Sequence, residues 1–516
     1  MIKRWPEPYA ALTEAMLALR AEFPDSVLLG SSIVHPRHSI PPEHLRLLSE
    51  IRDNAPISIP SIIQLAAKAL VSFASAMADA VVYAGLRFVP ATHTEADFVL
   101  KTWTPGVPAL SKTADFYYGG LYDQLLSRGA RPVLLAGDGR SDDGRLPSKL
   151  RSLAAMFEFA SQAKGRYFAE TRFVPPVAPV RAVFSQVAMA FRLRSWALSM
   201  TGSGVLKRTA AAAALDVLRP YTTKNLMHAF IARAAVRLWK PKALVTFYEG
   251  QPWEKVFWAA AKKQDANVTL VGFQHTVVMP HSFALLRPAR IQGEVAAPDV
   301  VLCTGDVTRR AMEPAHKELN TRFVTFGSYR RAPNAVSKPP RPSQKTVLVL
   351  PEGILSEAVF LFDGAMDLSQ RMPDHRFIFR CHPVLPFAKV QPHLKRLLAN
   401  CPNIELSTDP QIQNDFLRSS ALIYRGSSAV IYAALAGVKP FCWLDPTAPN
   451  VDPLSALQEW RETVVSLDEL ERGLKALAVV SVSAAATQWK PAADEVDRMA
   501  VPVTPASVSA MVKEVL

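Results

Sequence analysis

Cysteine is scarce. The 516 residues hold four, Cys303, Cys381, Cys401 and Cys442, with no C-x-x-C pair and no histidines at zinc-ligand spacing. A disulfide framework and a short-spaced metal site are thereby set aside, and reduced cytosolic thiols are the expectation. Familiar catalytic signatures are also missing: no G-x-x-x-x-G-K-[ST], no G-x-G-x-x-G opening a first helix, no H-E-x-x-H and no G-x-S-x-G. No run of five or six like charges, internal repeat or long low-complexity tract occurs. The most apolar stretch, residues 69–86, carries Asp79 and follows Lys68. A membrane span needs about 20 apolar residues with few charges, so this stretch reads as a buried helix. The N-terminus, MIKRWPEPYAALTEAM, has a basic start but no apolar run or cleavage site, so no signal peptide is expected.

What is present is globular. Apolar residues make up 49% and charged residues 20%, enough to bury cores in two or three domains. Lys and Arg exceed Asp and Glu by 59 to 45, a net charge of +14. That excess suits an anionic substrate or membrane face, or is a basic soluble surface. The basic residues are not interleaved with aromatics on one module, so no nucleic-acid partner is expected.

Residues 331–345, RAPNAVSKPPRPSQK, are proline-rich and basic and read as a linker. They divide residues 1–330 from residues 346–516. After the linker, strands are expected at 346–350, 376–380, 403–406, 421–425 and 439–444, with helices at 356–371, 390–400 and 428–436. Before it, strands are expected at 26–29, 98–101, 131–136, 243–248, 268–272, 300–304 and 322–326. Short β-branched runs alternating with helices imply an α/β chain whose parallel sheets are covered on both faces. Residues 140–221 break the pattern as a long basic helical insertion. Its faces either are ordinary solvated helices or meet the cytoplasmic face of the inner membrane or a lipid-linked acceptor. In such folds ligands lie beyond the carboxyl ends of the strands, so residues at strand tips are the site candidates.

The segment ALIYRGSSAVIYAALAGVKP places Gly426, Ser427 and Ser428 between a strand and a helix, beside Arg425. Free backbone N–H groups and two hydroxyls there suit a phosphate; a serine helix cap is the structural alternative. In RFIFRCHPV, proline ends the strand and leaves His382 at its tip, either to meet a phosphate or as a surface residue. In ALVTFYEGQPWEK, Glu249 and Gly250 follow a strand, and Pro252 suits a first helical turn. Glu249 is a candidate base beside Tyr248 and Trp253, or simply favours a helix N-terminus. Glu254 reads as an exposed helix residue. Gln274, His275 and Thr276 stand at the next strand tip and are candidates for contact with an acceptor or sugar; Glu352 and Gly353 form a further acidic tip in the second half and, with Arg425, are candidates for contact with the donor nucleotide.

An acid-glycine, a His-Pro and a Ser-Ser in this order resemble the bacterial sialyltransferases, polysialyltransferases and Kdo transferases. YEGQPWEK followed by GFQHT resembles proteins of bacterial capsule and surface-carbohydrate biosynthesis. The resemblance spans residues 243–444. It implies the GT-B fold, two Rossmann-like domains facing a cleft, and a CMP-activated Kdo-like or sialic-acid-like donor as co-substrate, with no other cofactor and no metal. It further implies that Ser427 and Ser428 hold the CMP phosphate, that His382 helps the nucleotide leave, and that Glu249 deprotonates a glycan or lipid-linked acceptor. The chain departs from the pattern at Tyr248, where a second acid is common; inversion and retention both stay open. A UDP- or GDP-sugar transferase, a CDP-alcohol phosphotransferase, a nucleotide-sugar epimerase and a non-catalytic polysaccharide-assembly scaffold are the alternatives.

Overall fold

The computed structural model describes residues 6–36, 42–86, 95–104, 115–138, 158, 166–202, 204–279, 282–286, 289–291, 294–331, 339–445, 450–457 and 459–515. Two parallel sheets carry the architecture. The first comprises β1 (Phe98–Thr104), β2 (Pro132–Asp138), β3 (Tyr167–Ala169), β4 (Ala243–Phe247), β5 (Thr269–Gln274), β8 (Val300–Cys303) and β9 (Arg322–Thr325). Their spatial order is β3-β2-β1-β4-β5-β8-β9. A small antiparallel hairpin, β6 (Ala289–Ile291) with β7 (Glu294–Ala296), lies outside the sheet. The second sheet comprises β10 (Thr346–Leu350), β11 (Arg376–Phe379), β12 (Ile404–Leu406), β13 (Ala421–Tyr424), β14 (Lys439–Trp443) and β15 (Glu462–Val464). Its order is β12-β11-β10-β13-β14-β15. All pairings within both sheets are parallel.

The chain is therefore α/β with two Rossmann-like sheets, as the sequence implies. β4 and β13 are buried at every residue, the mark of strands covered by helices on both faces. Each sheet winds outward from its first strand, then returns to the other side. The reversal falls between β1 and β4 in the first sheet and between β10 and β13 in the second. A ligand crevice opens beyond the carboxyl ends at such a reversal.

Three expected elements differ. Residues 26–29 form a short helix, because Asp25 caps it by accepting the Val27 N–H at 2.8 Å. The expected helix at 390–400 is broken into Phe387–Val390 and two 3-10 turns, since Pro392 cannot donate to a continuing helix. The apolar stretch of 69–86 lies in a helix, Ile62–Leu86, that is mostly not buried.

A separate helical core packs Leu12, Met16 and Phe23 against Leu193, Ala210 and Ala213. The helical region therefore draws on residues before β1 as well as on Ala178–Ser199 and Val205–Asp216. Most of the expected insertion between 140 and 165 lies outside the described residues.

Beyond the second sheet the chain returns to the first. The Val501 N–H donates to Thr304 O at 2.9 Å, and the Ser328 N–H donates to Val501 O at 2.8 Å. The last helix, Pro505–Val515, buries Val508, Met511 and Val515 in the first core. It thus packs with the residues before the linker and not with the second sheet.

Candidate functional site

Every candidate residue stands at or just beyond the carboxyl end of a strand. Glu249 and Gly250 leave β4, where Gly250 turns at φ +74° and packs on Ala284; a Cβ would be both strained and blocked. His275 and Thr276 leave β5. The Glu249 carboxylate and His275 Nε2 pair at 3.0 Å. Gln251 Nε2 donates to the other Glu249 oxygen at 3.1 Å. The His275 side chain is 6% exposed and packs among Tyr117, Phe247 and Phe273, and its Nδ1 has no partner among the described residues. With Nε2 donating to the carboxylate, the neutral ring keeps its lone pair on Nδ1. Tyr248 points the other way, into the core, where its hydroxyl meets His316 Nε2 at 3.1 Å.

Glu254 is fully buried, contrary to the exposed position expected of it. Its carboxylate accepts the N–H groups of Glu249 at 3.1 Å and Gly250 at 2.9 Å. Burial pushes its pKa up and pulls that of its buried neighbour Lys255 down. Lys255 Nζ in turn donates to Gly250 O at 2.7 Å, so the loop is held from both sides. Gln274 is also fully buried. Its Oε1 accepts from Thr304 N at 3.1 Å and its amide donates to Thr276 O, which commits both ends to the fold rather than to a ligand.

The second sheet repeats the device. The Glu352 N–H donates to the buried Glu357 carboxylate at 3.0 Å. Burial, then the charge of Glu352, pushes Glu357 up. The spacing Glu-Gly-x-x-x-Glu is common to 249–254 and 352–357, and that recurrence is the sequence signal by which Glu254 and Glu357 could have been found. Gly426 admits the Glu352 carboxylate at the reversal between β10 and β13, where a Cβ would fall on it. His382 packs against Gly353, 3.1 Å from where its Cβ would stand. The Val384 N–H donates weakly to His382 Nδ1 at 3.4 Å, leaving Nε2 as the donor. Burial lowers the His382 pKa, and the Arg330 charge lowers it further. Arg330, just before the linker, is exposed at the cleft, and no motif in the sequence singles it out.

Neither Ser427 nor Ser428 caps the following helix, Val430–Leu435. Among the described residues neither hydroxyl bonds to the protein. The Arg425 charge works against the upward shift of Glu357.

A cavity of about 240 Å³ opens between the two units. His275, Thr276, Arg330, Ser428 and Tyr432 are among its walls; Glu249, Glu352, Gly353, His382, Arg425, Gly426 and Ser427 are not. Among the described residues no three His, Cys, Asp or Glu side chains group as metal ligands.

No protein-family model and no curated protein matches the chain. Solved structures do align with it. The glycotransferase of kitacinnamycin is 14% identical over 82% of this chain and 100% of its own, with a TM-score of 0.44. The UDP-GlcNAc 2-epimerase of Neisseria meningitidis, bound to UDP-GlcNAc, is 11% identical over 81% of this chain and 99% of its own, at 0.39. The α,α-trehalose 6-phosphate synthase of Burkholderia multivorans is 10% identical over 82% and 98%, at 0.44. With TM-scores below 0.5, the fold rests on strand order and not on these likenesses.

Proposed function

We propose that the protein is a glycosyltransferase that moves a sugar from a nucleotide-activated donor to an acceptor hydroxyl across the cleft. The observation that carries this reading is the Glu249–His275 pair at 3.0 Å: His275 stands in the cavity wall, and its Nδ1 has no partner among the described residues. Glu249 fixes the Nε2–H tautomer, and His275 accepts the acceptor's hydroxyl proton at Nδ1. The hydroxyls of Ser427 and Ser428 and the Nε2–H of His382 donate to the leaving phosphate, and Arg330 adds positive charge opposite it. The acceptor is a glycan of bacterial surface polysaccharide, and the site of action is the cytoplasm.

The order Glu249, His382, Ser427-Ser428 supports a CMP-activated keto-sugar acid as donor. The departure at Tyr248, which turns into the core, favours a second reading, a UDP- or GDP-sugar, since no acid directly precedes Glu249. Calorimetry with CMP, CDP, UDP and GDP separates them. One nucleotide is expected to bind selectively, and Ser428→Ala and His382→Ala are each expected to weaken it by about tenfold, the loss of one hydrogen bond. Preference for UDP or GDP overturns the keto-sugar donor. Absence of all nucleotide binding overturns the transferase and leaves the scaffold.

A further inference from the structure

The helix Ile62–Leu86 is long and apolar enough to cross a membrane, yet most of it is not buried. Its buried residues form a narrow seam: Leu65, Ser72, Ser75, Ala76, Tyr83 and Leu86. The opposite side presents Ile63, Leu70 and Val81 at 81%, 70% and 66% exposure. The neighbouring helix Ala178–Ser199 exposes Phe184, Phe191 and Leu198 at one helical face. Phe73 and Phe184 meet edge to face at 6.4 Å and join the two stripes. Single exposed apolar residues are ordinary; a joined two-helix face marks an interaction surface.

Its charge says what covers it. The two helices carry four cations, Lys68, Arg181, Arg192 and Arg194, and one carboxylate, Asp79. Beside them lies a groove of about 470 Å³ with Val27, Phe230 and Val256 in its walls. Arg181, Arg233 and Lys263 also line it with one carboxylate, Asp25, which pairs with Arg192 at 3.5 Å; the three cations have no acidic partner among the described residues. A second copy of the chain would set cations against cations. We propose that this face seats the protein on an anionic lipid bilayer, its apolar stripes in the acyl boundary and its cations among the headgroup phosphates. The Ile62–Leu86 helix lies in the surface and does not cross it. Tyr83 and Leu86 belong to the first core and Ser72 bonds to the Leu218 carbonyl, so crossing would open the fold.

The proposal does not depend on sugar transfer and is tested without nucleotide. Vesicles of phosphatidylcholine, with and without phosphatidylglycerol, are floated with the full chain. Recovery on the anionic vesicles is expected to exceed that on neutral ones by about tenfold and to fall as salt rises. A variant carrying Ile63→Asp, Leu70→Asp and Phe184→Asp, whose side chains are exposed, is expected to keep its melting temperature and stay unbound. A second, carrying Arg181→Ser, Arg233→Ser and Lys263→Ser, is expected to lose the preference for anionic lipid. Failure of the wild type to float with anionic vesicles overturns the proposal, as does unchanged flotation of both variants. A dimer that the aspartate variant splits, without vesicle binding, assigns the face to a second copy and overturns it too.

Discussion

A histidine tied through Nε2 to a carboxylate is a base only through its other nitrogen, and that atom of His275 is buried and has no partner among the described residues. Glu249→Gln removes the charge that holds the tautomer while keeping the shape. His275→Ala removes the base itself. Both are expected to lower turnover of the preferred nucleotide sugar by about 10²–10⁴-fold, the range for a positioned acid or base. Nucleotide affinity should barely move in either, because the donor side belongs to the other sheet. Full turnover in a folded Glu249→Gln protein would end the base assignment. Glu249 was legible in the sequence because it follows a strand and precedes a helix. Its partner was legible only as a residue at the next strand tip, since side-chain pairing across β4 and β5 depends on register. Gln274 shows the limit of that logic: a polar residue at a strand tip points outward or ties the strand to its neighbour, and here it ties.

At the scale of elements, β-branched and aromatic runs bounded by turns made most long strands readable. Local capping and proline chemistry decided the misread cases at 26–29 and 390–400. The loops were harder. Glu254 and Glu357 look like exposed first-turn acids, and only the fold-back of each loop turns them inward. Close approaches between elements were not readable at all. Gly305, after β8, is the clearest: a Cβ there would meet the Arg498 carbonyl oxygen and stand 2.5 Å from the Met499 carbonyl carbon. Its φ of −166° suits any residue, so space alone demands glycine. Both neighbours are backbone and cannot rotate away. Gly305→Ala is expected to destabilise the protein by about 1–3 kcal/mol, the usual cost of overpacking. Thermal unfolding measures it. An unchanged melting temperature would mean that the Ser481–Met499 region shifts freely against the first unit.

At the scale of the whole molecule, the two sheets are joined twice, by residues 331–345 and again by the return of residues 498–503 to the ends of β8 and β9. The second joint carries the last helix onto the first core, where Val508 and Met511 are fully buried. Arg128 donates to Pro505 O at 3.0 Å and Arg322 pairs with Glu514 at 3.1 Å along its exposed edge. The apolar contacts dominate, at about 1.5–3 kcal/mol per buried side chain, while exposed ion pairs add little. The sequence gives no hint of this return, since Pro505–Val515 is an ordinary amphipathic helix whose partner is chosen only by tertiary packing. A chain shortened after Val503 is therefore expected to lose stability in the sheet farther from the cut in sequence. Hydrogen exchange reads this strand by strand: β8, β9 and β5 should lose protection, whereas β10, β11 and β13 should keep theirs. Equal loss in both sheets would mean that the units unfold as one cooperative block through their shared joints. Loss confined to β10–β15 would contradict the packing of the last helix on the first core.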